Sequence, residues 1–274
     1  MPELPEVETV KNSLIDLVKG RTIKTVDVIY GKLIKETSIE DFKEKLKEEK
    51  ICDISRYGKY LLFILDHYIL LSHLRMEGKF FYKEQSVELT KHDHIVFNLD
   101  NNHKLIYNDT RKFGIMMLFE GTDVNKVRSL QPLAKLGVEA NSPDLSKEYL
   151  IEKLKDKEAP IKSLLLDQEI ICGLGNIYAD EVLFLSKLNP LKKGKDITLI
   201  DADRICTSSK KVMKKAISLG GTTIKSFMSS HEISGLFQNE LNVHTKEERK
   251  ICKSKIIKIK VGGRGTYYCP NCQK

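Results

Sequence analysis

Between residues 21 and 120 the chain breaks into short runs rich in β-branched and aromatic residues, divided by turn signals. Thr25–Tyr30 alternates. Ile51–Ser55, Lys59–Leu65, Tyr68–Leu74, Lys79–Tyr82, His94–Leu99, Lys104–Tyr107 and Gly114–Phe119 follow at close spacing. So many short strands in succession predict a β-sandwich rather than a parallel sheet. Helices flank it. Residues 3–19 place Val7, Val10, Leu14, Leu17 and Val18 on one face, and residues 39–49 form a short helix behind a Ser38 cap.

The pattern then changes. Gly121 to about Asp144 carries few strand signals and two prolines, and reads as a linker. From Leu145 the period is helical: Lys147–Lys155, Ile161–Asp167, Asn176–Ser186 and a long helix over about Ile200–Leu219, stopped by Gly220-Gly221. Residues 222–243 have no long periodic run and read as a loop leading into a short helix. Residues 252–274 fit a two-stranded hairpin turned at Gly262-Gly263. The expected class is α+β, with domains at 1–125, 145–243 and 244–274.

Charge is unevenly placed. Residues 201–274 hold 15 Lys/Arg against 6 Asp/Glu, a net of +9, whereas residues 1–200 hold 31 and 32, a net of −1. A basic last quarter points to a polyanion partner, or to a solvated lysine-rich face. No apolar run approaches membrane-spanning length, and residues 1–20 are too acidic and interrupted for a signal peptide, which predicts a cytoplasmic protein. In such a compartment the clustered Cys252, Cys269 and Cys272 favour metal over disulfide. Cys52, Cys172 and Cys206 lie in apolar surroundings and are expected as buried thiols.

Four stretches carry chemistry. At the start, Met1-Pro2-Glu3-Leu4-Pro5-Glu6 would leave a free secondary amine at Pro2 once Met1 is removed. An α-amino group titrates near roughly 7.7–8.0, so part of it is a neutral nucleophile, and Glu3 beside it can move a proton. Lys59, in Arg56-Tyr57-Gly58-Lys59-Tyr60, is either a surface lysine or an ammonium set over a phosphate. Two turns carry Met76 and the Arg111/Phe113 pair, which either fold into the core or wedge between stacked bases. Finally, Asp167–Glu181 runs through Gly173-Leu174-Gly175-Asn176 into a helix, a turn whose N–H groups suit an anion.

These stretches, with Lys91–His94, Leu165–Glu181, Gly220–Thr223, Phe237–Leu241 and Val261–Gln273, resemble the bacterial formamidopyrimidine-DNA glycosylase family along the whole chain. The start Pro-Glu-Leu-Pro-Glu resembles this branch more than the endonuclease VIII branch. The resemblance implies a β-sandwich followed by a helix–two-turns–helix domain and a small zinc-finger-like hairpin. It implies a base-excision-repair enzyme that excises oxidised purines, 8-oxoguanine and formamidopyrimidines, through a Schiff base at Pro2 and then cuts the strand by β- and δ-elimination. Its alternatives are the same chemistry on oxidised pyrimidines and a non-catalytic binder of damaged DNA.

The implied roles fall on particular residues. Pro2 is the nucleophile, Glu3 the acid/base, and Lys59 the hairpin lysine that contacts phosphate. Met76, Arg111 and Phe113 fill the void left by the flipped base. His92 and Arg111 touch backbone and orphan base, Lys162 and Asn176 clamp phosphate, and Arg264 grips the phosphates flanking the lesion. Thr222–Ser234 matches the loop that closes over the lesion. The partner is double-stranded DNA carrying oxidised bases or abasic sites, and the protein is expected to be a monomer. One departure stands out. The family's zinc finger has four cysteines, and the first falls here on Arg249. Cys252, Cys269 and Cys272 remain as zinc ligands, with His244, water or a cysteine of another molecule as candidates to complete the shell; the alternative is a metal-free finger held by its hairpin pairing alone.

Overall fold

The computed structural model describes residues 2–222, 235–248 and 252–274. Two compact units divide it, one running to Ala134 and one formed by Lys135–Thr222 with Leu236–Lys274.

The first unit is a sandwich of two four-stranded antiparallel sheets. One is ordered β1 (Ile23–Val28), β6 (Asp93–Leu99), β7 (His103–Asn108), β5 (Lys79–Glu84). The other is ordered β2 (Ile51–Tyr57), β3 (Tyr60–Leu65), β4 (Tyr68–His73), β8 (Ile115–Glu120). Residues alternate across each strand, so one face of each sheet is apolar and the two faces share a core. Phe63, Leu65 and Leu70 of one sheet and Phe80, Phe97 and Leu105 of the other belong to that core. Helix α1 (Leu4–Val18) buries Leu4, Val7, Val10, Leu14 and Val18, and α2 (Ile39–Leu46) is capped by Ser38, whose hydroxyl accepts from Asp41 N. Leu17 is only partly buried.

Two expectations are corrected. The linker carries structure: α3 (Val124–Arg128), capped by Asp123, a 3-10 turn at Leu133–Lys135, and β9 (Val138–Glu139), which pairs in parallel with β10 (Ile171–Cys172). These elements are too short to show a period. Cys52 is exposed, unlike the buried Cys172 and Cys206. It sits where the β2–β3 register shifts, and this bulge turns its thiol outward to Asp66 Oδ1 at 3.2 Å.

In the second unit, α4 (Lys147–Leu154), α5 (Ile161–Leu166), α6 (Asn176–Leu185) and α7 (Leu199–Ser218) form the helical body. Helix α7 starts in a capping box between Thr198 and Asp201 and buries Ala202, Ile205, Ser209, Val212, Met213 and Ala216, a helical stripe. Residues 237–240 are a single 3-10 turn in place of the expected short helix. The chain ends in the hairpin of β11 (Ile257–Val261) and β12 (Arg264–Tyr268), turned at Gly262-Gly263. No helix among the described residues is long and apolar enough to cross a membrane.

Candidate functional site

Pro2 stands just ahead of α1, half-buried, and Glu3 is the helix N-cap with little exposure. The Glu3 N–H donates to Glu6 Oε2 at 2.9 Å, which holds the first turn closed. Just past the first turn, Glu8 reaches Lys11 at 2.5 Å and Arg56 at 2.7 Å. Burial would raise the Glu8 carboxyl, but hydrogen bonds from Lys11 and Arg56 outweigh it and hold the group below the usual carboxylate range.

Arg56 also donates from Nη1 to Gly58 O at 2.9 Å. One guanidinium therefore ties α1 to the β2–β3 turn that carries Lys59. Lys59 is not the surface lysine of the simpler expectation: it is 5% exposed.

The two expected wedge turns are built differently from ordinary loops. Met76 is 38% exposed and Phe113 53%, so neither folds into the core. The Arg111 guanidinium lies over the Phe113 ring, 4.8 Å from its centre. Arg75 and Lys112 both have positive φ, 54° and 57°, so each turn is held in a left-handed conformation that costs energy for a side chain with a Cβ.

Three buried residues hold these turns, and sequence reasoning assigned none of them. The enclosed Asp109 carboxylate accepts from Arg111 N at 2.9 Å, Phe113 N at 2.8 Å and Gly114 N at 2.9 Å. Asp109 N donates to His92 O at 3.0 Å, which brings the Lys91-His92 turn beside Arg111. His73 Nδ1 accepts from Arg75 N at 2.9 Å and so must be neutral there. Burial, with the cations of Arg75 and Lys59 nearby, pushes His73 down to about 3. The Tyr107 hydroxyl sits where a β-carbon at Gly78 or at Gly114 would have to stand. Both turns close onto this one ring because each ends in a residue without a side chain. The pairing of a glycine shortly after each wedge residue was the available signal.

In the second unit the Gly173–Asn176 turn is stapled by Gln168. Its Oε1 accepts from Gly173 N at 3.0 Å, and its Nε2 donates to Leu174 O at 2.9 Å. Asn176 opens α6, and its Nδ2 donates to Gly265 O at 2.9 Å. Lys162 corrects the expectation of a direct phosphate contact. It is fully enclosed and paired with the equally enclosed Asp180 at 2.5 Å, and it donates to Asn176 O at 2.8 Å. An ammonium in that position braces the start of α6 and has no exposure to solvent. Arg264 is exposed at the hairpin tip.

The thiols of Cys252, Cys269 and Cys272 lie within 4.8 Å of one another, with Sγ–Sγ distances of 3.7 Å and 3.5 Å from Cys252 to the other two. Zinc–sulfur bonds of ~2.3 Å in a tetrahedron put sulfurs about 3.8 Å apart, so the trio fits one zinc ion. Hydrogen bonds with Ser254 hold the Cys252 thiol low, at about 6, while burial and the bonds to Cys252 and Cys269 push Cys272 up to about 11, so in the metal-free trio one thiolate is shared with protonated neighbours. His244 is not in this cluster, correcting it as a substitute ligand. Its Nδ1 is taken by Asp180 Oδ2 at 2.7 Å. The expectations for Met1, for residues 223–234 and for Arg249 fall outside the described residues.

Known proteins place this arrangement among the DNA glycosylases. Three family profiles match: formamidopyrimidine-DNA glycosylase N-terminal domain over residues 1–116, formamidopyrimidine-DNA glycosylase H2TH domain over 136–228, and the zinc finger found in FPG and IleRS over 250–274. The formamidopyrimidine-DNA glycosylase of Exiguobacterium sibiricum is 46% identical, with 100% of this chain and 99% of the relative covered. That of Halalkalibacterium halodurans is 44% identical with both chains fully covered. Among solved structures, Lactococcus lactis Fpg in complex with abasic-site DNA superposes with a TM-score of 0.90 at 39% identity over 99% of each chain. The wild-type Lactococcus lactis Fpg in complex with N7-benzyl-Fapy-dG DNA gives a TM-score of 0.90 at 39% identity over 100% of each. The chain belongs to the formamidopyrimidine-DNA glycosylase family.

Proposed function

We propose that the chain is a bifunctional DNA glycosylase and abasic-site lyase of base excision repair. Its substrate is duplex DNA carrying oxidised purines, formamidopyrimidines and 8-oxoguanine. The observation that carries this reading is the end-to-end match, at 46% identity, to a formamidopyrimidine-DNA glycosylase.

The residues take the following parts. Freed of Met1, the Pro2 nitrogen is a secondary amine and attacks C1′ of the damaged nucleoside. The C1′–N bond breaks, its electron pair leaves with the base, and the base takes up the proton that the Pro2 nitrogen sheds. Glu3 protonates the sugar ring oxygen, the ring opens, and an iminium links Pro2 to C1′. Loss of successive protons then expels the phosphates on either side of the sugar. Lys59 supports this lyase step from the hairpin turn. Met76, Arg111 and Phe113 enter the stack where the lesion has left, with Arg111 facing the orphan base. Their contacts offset an unstacking cost of a few kcal/mol. His92 and Asn176 contact the backbone, and Arg264 grips the phosphates beside the lesion. Cys252, Cys269 and Cys272 would hold zinc, which when bound would cross-link the base of the hairpin.

Borohydride trapping on an abasic-site duplex tests the assignment. A covalent adduct is expected in the wild type and none in Pro2→Gly. An adduct that persists in Pro2→Gly removes Pro2 from its role, and no adduct in either protein removes the lyase activity.

A further inference from the structure

The finger has lost one cysteine, yet its hairpin is fastened to the helical body at several points that involve no thiol. At the tip, Gly262 lies against α5: a β-carbon there would stand 2.5 Å from Ser163 Oγ. One residue beyond Arg264, Gly265 O accepts from Asn176 Nδ2 at 2.9 Å. Two residues further, Tyr267 N donates to Asp180 Oδ2 at 3.3 Å. Asp180 is itself fixed by Lys162 at 2.5 Å and by His244 at 2.7 Å. Its side chain is fully enclosed, so both oxygens are committed to these partners.

The neighbouring Glu181 does the same for the approach to the finger. Its carboxylate accepts from Asn242 N at 2.8 Å and from Val243 N and His244 N at 3.0 Å each. At the far end, Gln273 accepts from Cys269 N and donates to Leu188 O, both at 2.8 Å. The thiols sit at this far end. Cys269 is separated from Arg264 by the length of β12, about 16 Å of extended chain.

We propose that Asp180 and Asn176 set the hairpin tip, and Arg264 with it, on the helical body, and that this setting does not depend on the metal. The proposal rests on the reading of Arg264 as a phosphate contact. Asp180 acts as a positioning residue. It touches no DNA, but it fixes the strand from which Arg264 projects. The metal closes the base of the hairpin, where three ligands suffice because the polypeptide already holds both ends.

The test uses the full-length protein, with metal content measured before and after chelation. Hydrogen exchange at the Tyr267 amide and affinity for an abasic-site duplex are read in parallel. In metal-free wild type, Tyr267 protection and affinity should stay within about twofold of the loaded protein. Asp180→Asn should lose Tyr267 protection and weaken binding by on the order of tenfold, with its metal content unchanged. In Asp180→Asn, adding Arg264→Ala should cost little more, because the arginine is already misplaced. A general loss of stability would make the two effects add.

Chelation that by itself exposes Tyr267 and abolishes binding overturns the proposal, as does Asp180→Asn binding like wild type. If Asp180→Asn fails to fold, the exchange of metal-free wild type decides alone. Arg264→Ala binding like wild type overturns the phosphate reading of Arg264, while Tyr267 exchange still judges the docking.

Discussion

Arg56 donates from Nε to Glu8 Oε2 at 2.7 Å, and its side chain is 6% exposed. Through this contact the strand that leads to Lys59 is tied to the helix that follows Pro2-Glu3. The amine and the lysine belong to distant parts of the sequence. This partly buried ion pair adds a polar tie to the apolar core that α1 already shares with β2 and β3.

Arg56→Met should leave Glu8 with Lys11 as its remaining charged partner and loosen α1 from the hairpin turn. Breaking a buried pair from one side costs roughly 3–5 kcal/mol, and the partial exposure of Glu8 brings this to about 1–3 kcal/mol. Urea unfolding should show that loss. Borohydride trapping should slow in the same variant even at temperatures where it is fully folded. Trapping at the wild-type rate would separate the ion pair from the active centre.

His73 makes stability depend on pH. Its folded value is about 3 and its reference is 6.5, so the folded protein binds fewer protons than the unfolded chain in between. The stability that His73 contributes is therefore complete above 6.5 and is lost as pH falls from 6.5 toward 3. Between pH 7.5 and 5.5 this amounts to about 1.4 kcal/mol. Asn at this position offers an oxygen to the Arg75 N–H without titrating. Unfolding free energies of wild type and His73→Asn should therefore diverge by about that amount over this interval, and parallel curves would refute the assignment.

Gly114→Ala should be destabilising even though the backbone there does not have a positive φ. The new methyl overlaps the Tyr107 hydroxyl, and overpacking of this kind costs about 1–3 kcal/mol. Pairing it with Tyr107→Leu should recover part of that loss in thermal melts, because the obstructing ring is then gone. Equal losses in the single and double variants would place the strain elsewhere.

Phe113→Ala should behave in the opposite way. The ring is 53% exposed and packs on the Arg111 guanidinium, so folding stability should change little. Stacking of an aromatic ring on a base is worth about 1–3 kcal/mol, which is on the order of tenfold in affinity. Fluorescence anisotropy should show that loss on an abasic-site duplex and a smaller one on undamaged DNA. An equal loss on both would mean that Phe113 contacts DNA without filling a void.

Much of the fold was legible before any coordinates. The sandwich strands announce themselves because short β-branched and aromatic runs are divided by turn signals, and α1 and α7 because their apolar stripes recur at helical spacing. The elements of residues 121–144 were not legible. Helix α3 is five residues long and β9 two, too short for any period to show. At the site, Pro2, Glu3, Met76, Arg111, Phe113 and the cysteine trio stood out by residue type at unusual places. Lys162 misled, because a lysine next to a DNA-binding turn looks the same whether it faces a phosphate or an aspartate.

The sequence by itself determined which groups are available: a proline directly after Met1, a carboxyl beside it, a basic C-terminal quarter, and three thiols where four are usual. These are properties of residue identity and order. Only the tertiary structure decided which charges are spent inside the protein. Asp180 satisfies Lys162 and His244, Asp109 gathers three backbone N–H groups, and Tyr107 closes two turns at once. Lys162 and His244 reach Asp180 from other stretches of the chain, and Gly78 reaches Tyr107 from another turn, whereas Asp109 gathers the N–H groups of its own turn. A buried polar group is stable only when such partners surround it, and their arrival depends on packing rather than on local pattern.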